Sequence, residues 1–178
     1  YVAKLAEPKI LAHTVANEIM EGLTGKKGIF FTKIAMVCDK TGHKELWITD
    51  FDGSNPKQLT RHNSIAFAPS WSHDGKKMVY SLFTKNARNI KNIDLYEFEF
   101  ARHKAKLLSN RTGINSGAAY HPDNHKLVLT MSFLGNPEIF VLNPGSQQVT
   151  RVTSSLGVDV DPSYSPDGKK LAFVSSRS

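Results

Sequence analysis

Apolar positions along the chain change their period once. Between residues 8 and 23, Ile10, Leu11, Val15, Ile19, Met20 and Leu23 recur at spacings of one, three and four, the stripe of one helical face. Pro8 suits a first helical turn, where its missing N–H removes no hydrogen bond. Gly25, just past the stripe, suits a C-cap. The pattern predicts one amphipathic helix of about four turns. After Thr32 short apolar runs alternate with Gly, Pro, Asn and Asp clusters, which predicts an all-β region.

That region repeats. Pro69-Ser-Trp-Ser-His-Asp-Gly-Lys-Lys77 returns as Ala118-Ala-Tyr-His-Pro-Asp-Asn-His-Lys126 and as Pro162-Ser-Tyr-Ser-Pro-Asp-Gly-Lys-Lys170. Asp74, Asp123 and Asp167 stand 49 and 44 residues apart. A second marker keeps the same phase: Glu45-Leu-Trp-Ile-Thr49, Asp94-Leu-Tyr-Glu-Phe98 and Glu138-Ile-Phe-Val-Leu142 step by the same 49 and 44. A unit of this size holding four short strands is a β-propeller blade. The innermost strand ends in Trp71, Tyr120 or Tyr164, and an Asp-Gly-type turn follows. The second strands, at 78–80, 127–129 and 171–174, are apolar without alternation, as covered strands are. The third carry Trp47, Tyr96 and Phe140, and the outer ones fall at 58–60, 106–108 and 151–153.

The fold class expected is therefore all-β: a partial β-propeller of about three blades' worth of four-stranded antiparallel sheets, preceded by one amphipathic α-helix. Residues 1–31 read as helix and linker, and 32–178 as the partial propeller. Its divisions are a partial blade at 32–61, blades at 62–111 and 112–155, and a partial blade at 156–178. Closure takes 4 to 8 blades. This chain is then either a piece of a longer protein or one that self-associates through open sheet edges.

Composition narrows the function. With 40% hydrophobic and 22% charged residues the chain is globular rather than disordered. No apolar run reaches the length of a membrane span, and the segment from Tyr1 does not open a signal peptide. The net charge of +7 is spread over turn-like positions such as Lys76, Lys77, Lys126, Lys169 and Lys170, so no nucleic-acid partner is expected. The single Cys38 excludes an internal disulfide and reads as a packing residue. Ser70, Ser72, Ser163 and Ser165 recur with the blades and lack a Gly-x-Ser-x-Gly elbow, so no catalytic residue is assigned and no enzyme is expected. Asp50-Phe-Asp-Gly-Ser-Asn55 opens like a calcium loop but has Asn55 and Arg61 where such a loop needs Gly and Glu, and it reads as a tight turn. The histidines, including His73, His121, His125, His43, His62 and His103, read as surface or loop residues, so neither metal nor cofactor is expected.

The blade motifs resemble the propeller repeat of the TolB family, a repeat also found on propellers that cap some serine peptidases. The junction Ala12-His-Thr-Val-Ala-Asn-Glu-Ile-Met-Glu-Gly-Leu-Thr-Gly25, with 28–35 after it, resembles the last helix of that family's N-terminal α/β domain and its first propeller strand. The resemblance implies a six-bladed parent propeller and a periplasmic, non-enzymatic adaptor of the Tol–Pal cell-envelope system. It also implies a peptidoglycan-associated lipoprotein bound at the channel mouth, with TolA and colicins as further partners of the full-length protein. The mouth maps here onto three loops leading into innermost strands: Ser64, Ile65, Ala66 and Phe67; Ile114, Asn115, Ser116 and Gly117; Asp159, Val160 and Asp161. Ile114 stands where many of the family carry His. The alternative is the substrate-gating propeller of a serine peptidase whose catalytic domain lies outside this chain.

Overall fold

The computed structural model describes residues 8–85 and 89–177. Residues 1–7, on which the signal-peptide expectation and the start of the 1–31 segment fall, lie outside the described residues.

The predicted helix forms as α1 (Pro8–Thr24), and its C-cap is Gly25, at φ +68° with its N–H bonded to Glu21 O at 2.8 Å. None of its residues is buried, and the apolar stripe from Ile10 to Leu23 stays largely exposed. Thirteen strands follow among the described residues: β1 (Lys33–Cys38), β2 (Glu45–Asp50), β3 (Lys57–Gln58), β4 (Ala66–Trp71), β5 (Lys77–Lys85), β6 (Lys91–Glu99), β7 (Lys104–Ser109), β8 (Asn115–Tyr120), β9 (Leu127–Met131), β10 (Glu138–Leu142), β11 (Val149–Arg151), β12 (Asp159–Tyr164) and β13 (Leu171–Ser175). They form a three-stranded sheet β1-β2-β3, four-stranded antiparallel sheets β4-β5-β6-β7 and β8-β9-β10-β11, and a two-stranded sheet β12-β13. Along the chain, two four-stranded blades thus follow a three-stranded sheet and precede a two-stranded one among the described residues. The innermost strands end at Trp71, Tyr120 and Tyr164, where the repeat places them.

Two compact units make up the chain: one reaching Met36 and including Trp47–Gln58, the other Val37–Leu46 with Leu59–Ser178. In the first, Asp50 accepts from Lys9 at 2.7 Å and from Lys33, which foremost holds its carboxyl well below the usual range. Gly53 closes the turn at φ +79°, donating to Asp50 O at 2.9 Å. The oxygens of the calcium-like stretch are therefore engaged by lysines and by the turn itself.

In the second unit the core lies between blade two (β4–β7) and blade three (β8–β11). Val79, Leu95 and Leu108 pack against Ala118, Tyr120, Leu127, Leu129, Met131, Phe140 and Leu142. Every residue of β9 is buried, which explains its lack of alternation. The acids that mark the repeat are clamps. Glu138, with no exposed surface, accepts from Thr153 Oγ1 (2.6 Å), Ser155 N (2.8 Å) and Arg151 (2.9 Å), tying β10 to the chain beyond β11. Burial pushes this carboxyl up, and the three donors outweigh it and hold it below its usual range. Glu45 binds Thr60 Oγ1 (2.6 Å) and Asn63 N (2.7 Å) in the same way. The recurring Asp orders the first hairpin turn of each blade: Asp74 accepts from Ser72 Oγ (2.7 Å) and Lys76 N (3.1 Å), and Asp167 from Ser165 Oγ (2.6 Å) and Lys169 N (3.1 Å).

Candidate functional site

Antiparallel pairing brings the segments leading into β4, β8 and β12 to the same sheet ends as the tips of the second-to-third strand hairpins. The three predicted sets lie there, but they reach further into the strands than loops would. Asn115, Ser116 and Gly117 begin β8, Asp159, Val160 and Asp161 begin β12, and Ala66 and Phe67 begin β4.

Within each set one position is interior. Ala66, Asn115 and Asp159 are fully buried, 49 and 44 residues apart. Asn115 donates to Ile93 O (2.8 Å) and Arg111 O (2.6 Å) and accepts from Ser109 Oγ (2.7 Å), latching blade three to blade two. Asp159 pairs with Arg177 at 2.5 Å, and chiefly through that bond its carboxyl is held down to about 2. These side chains position the face rather than present it.

The outward positions are Ser64, Ile65, Phe67, Ile114, Ser116, Gly117, Val160 and Asp161. Ser64 Oγ donates to Phe83 O at 2.7 Å, and Ile65 is 42% exposed. Phe67 packs on Phe83 with ring centroids 5.3 Å apart. Ile114 exchanges bonds with Ser132, its N donating to Oγ (2.8 Å) and its O accepting from N (3.1 Å). One residue per inner strand takes a left-handed conformation at a register shift: Ala68 (φ +49°), Gly117 (φ +60°) and Asp161 (φ +52°). This bulge follows the same ladder of 49 and 44. Gly117 has a further reason to be glycine, since a Cβ there would lie 3.0 Å from Asp161 Oδ1.

The hairpin of blade two adds residues that the three loops did not include. Cavities of about 470 Å³ and 190 Å³ open on either side of Phe83 and Lys91. The first is lined also by Ser64, Ile65, Thr84 and Lys85, and the second by Asn92, Ile93, Gly113 and Ile114. The sequence carried one signal of them, the excess of the 49-residue step over the 44-residue one.

His62, expected at the surface, is half-buried: its Nε2 lies 2.8 Å from Tyr80 Oη and its ring packs on Tyr80 and Tyr96. Burial lowers its pKa and Glu45 opposes that. Cys38 is half-buried and free. No cluster of three His, Cys, Asp or Glu among the described residues could hold a metal, and no described helix is long and apolar enough to cross a membrane.

Comparison with known proteins agrees with this architecture. A "Protein TolB homolog" of Chlorobium chlorochromatii is 37% identical over 95% of this chain and 37% of its own length. The "Tol-Pal system protein TolB" of Bordetella pertussis is 32% identical over 97% of this chain and 38% of its own. The chain thus spans well under half of the curated relatives it matches. Among solved structures, TolB from Acinetobacter baumannii superposes with a TM-score of 0.80 at 29% identity, over 94% of this chain and 42% of that one. The tricorn protease matches at 0.60 and 15% identity over 81% of this chain and 14% of its own, a likeness of fold alone. The family described as "TolB beta propeller domain" matches residues 20–178. The chain belongs to the TolB β-propeller family.

Proposed function

We propose that the protein carrying this chain is a non-enzymatic periplasmic adaptor of the Tol–Pal system. It binds the peptidoglycan-associated lipoprotein through the face formed by the starts of β4, β8 and β12, and through that contact supports outer-membrane integrity and cell division. TolA and colicins are partners of the full-length protein. In this reading α1 is the last helix of an N-terminal α/β domain ending near residue 31. Residues 32–178 are then part of a six-bladed propeller divided at 61, 111 and 155, and the isolated chain self-associates through its open edges.

The observation that supports the site is the division of labour on the face: one buried side chain per inner strand (Ala66, Asn115, Asp159) beside the exposed Ile65 and the half-buried Val160. Rigid strands carrying accessible side chains at their ends suit protein docking. The test is a titration of the full-length protein with the lipoprotein's soluble domain. Ile65→Arg and Val160→Arg are expected to weaken binding about tenfold or more, the loss of one well-packed contact, with unchanged folding. Wild-type affinity in both variants would reject the site. Asn115→Arg is unsuitable, because it would break a buried latch.

A further inference from the structure

The unequal repeat has a single structural origin. Across the second-to-third strand hairpin Tyr80 pairs with Tyr96 in blade two, whereas Leu129 pairs with Phe140 in blade three. Blade two holds five more residues between those partners, the whole difference between the steps of 49 and 44. The β4–β5 pairing stops at Leu82 and the β6–β7 pairing starts at Leu95, so among the described residues the ends of β5 and β6 run on paired with each other, with single backbone bonds from Phe83 N to Ile65 O and from Ile93 N to Gly113 O.

On one face of this extension Phe83 pairs with Ile93 and, two residues outward, Lys85 pairs with Lys91. Like charges directly opposite each other repel. Neither lysine has an ion pair among the described residues, and no acidic side chain lines either adjoining cavity. An apolar patch of Phe83 and Ile93, flanked by Ile65 and Ile114, thus lies beside two cations that have no ion pair among the described residues. Phe67 against Phe83 joins it to the face described above.

We propose that the paired stretch of residues 83–85 with 91–93 is a docking element for an acidic, apolar-tipped segment of a partner protein, carboxylates meeting Lys85 and Lys91 and an apolar side chain resting on Phe83. It deepens the adaptor reading and rests on it for the partner's origin. Charge complementarity of this kind supplies specificity and salt-dependent association.

The experiment uses the full-length protein and a short labelled peptide with Glu and Phe at alternate positions, read by fluorescence anisotropy. Its Gln counterpart and a short single-stranded oligodeoxynucleotide are run beside it. The Glu peptide should bind and weaken with salt, and the Gln peptide should bind at least about tenfold less tightly. Lys85→Glu with Lys91→Glu should lose the Glu peptide, and Lys85→Gln with Lys91→Gln should lose most of it while melting no lower than wild type, since a repulsion is removed. The hairpin assignment is overturned by no binding of the Glu peptide, by equal binding of the Gln peptide or the oligonucleotide, or by reversal variants that bind as wild type. The lipoprotein domain is titrated in parallel. If it fails to bind the wild type, the adaptor reading falls, and the peptide series still decides the hairpin.

Discussion

Blades two and three share a ladder of pairings and differ in how they use it. Blade three is the plainer: β9 is buried throughout, β10 is buried at all but one position, and Glu138 ties Thr153, Ser155 and Arg151 together. Blade two has the shorter Asp94 at the clamp position, which accepts from Asn92 Nδ2 at 2.6 Å. Asn92 Oδ1 then holds Gly113 N at 2.6 Å, and Ser109, the counterpart of Thr153, turns to Asn115. The clamp of blade two is thereby spread over more residues and tied into its neighbour. The difference teaches that a repeat fixes where the backbone pairs, while single side chains decide whether a blade secures itself or the next one.

The largest expected break is in the buried aromatic of that ladder. Phe140→Ala empties a site with 2% exposure and should cost about 3–5 kcal/mol, whereas Tyr96→Ala, half-buried at the same ladder position, should cost about half as much. Denaturant melts of the full-length protein would show it, and equal losses would remove the asymmetry between the blades. Next comes the clamp. Glu138→Ala strands buried donors and should cost about 2–4 kcal/mol, against about 1 kcal/mol for Asp94→Ala. A larger loss at Asp94 would contradict the assignment of bonds. Smaller again is Tyr120→Phe, which removes the 2.7 Å bond from Tyr120 Oη to Glu97 between the blades, about 1–2 kcal/mol.

The smallest effect is a pH dependence confined to blade two. Buried beside Tyr80, His62 has a lowered pKa, so the unfolded chain binds its proton more readily than the folded one. The stability it contributes is fully present above the ordinary histidine value of about 6.5, declines as pH falls through it, and is gone below the folded value. His62→Gln should flatten the stability profile on the acid side of about pH 6.5. An unchanged profile would show that His62 does not couple to folding. Blade three has Arg111 at the corresponding ladder position, 49 residues on, so no histidine stands there to give such a slope.

Much of this was legible from the residues. The α1 boundaries followed from Pro8 and Gly25, and the inner strands ended at their aromatic residues because turn chemistry marks those points strongly. The entrances to the inner strands were harder. Asn115 looked like a loop residue because polar side chains usually are, and only its bonds to Ile93, Arg111 and Ser109 reveal an interior latch. The left-handed bulge was not read from the sequence: Gly117 and Asp161 are residue types that tolerate positive φ, but Ala68 gives no sign of it, so the residues do not mark the position as a repeat. The basic hairpin was present only as five surplus residues, since register rather than composition puts Lys85 opposite Lys91. Likewise the stripe of α1 predicts an apolar face correctly but not what, if anything, covers it.

The central claim is that the partner docks on the face where the inner strands begin. Photocrosslinking tests it most directly: a benzophenone side chain placed at Ile65 in the full-length protein, and separately at Asn124 in the hairpin turn at the opposite strand ends, is irradiated with the lipoprotein's soluble domain. A lipoprotein adduct is expected from Ile65 and none from Asn124. An adduct from Asn124 alone, or equal adducts from both, would contradict it.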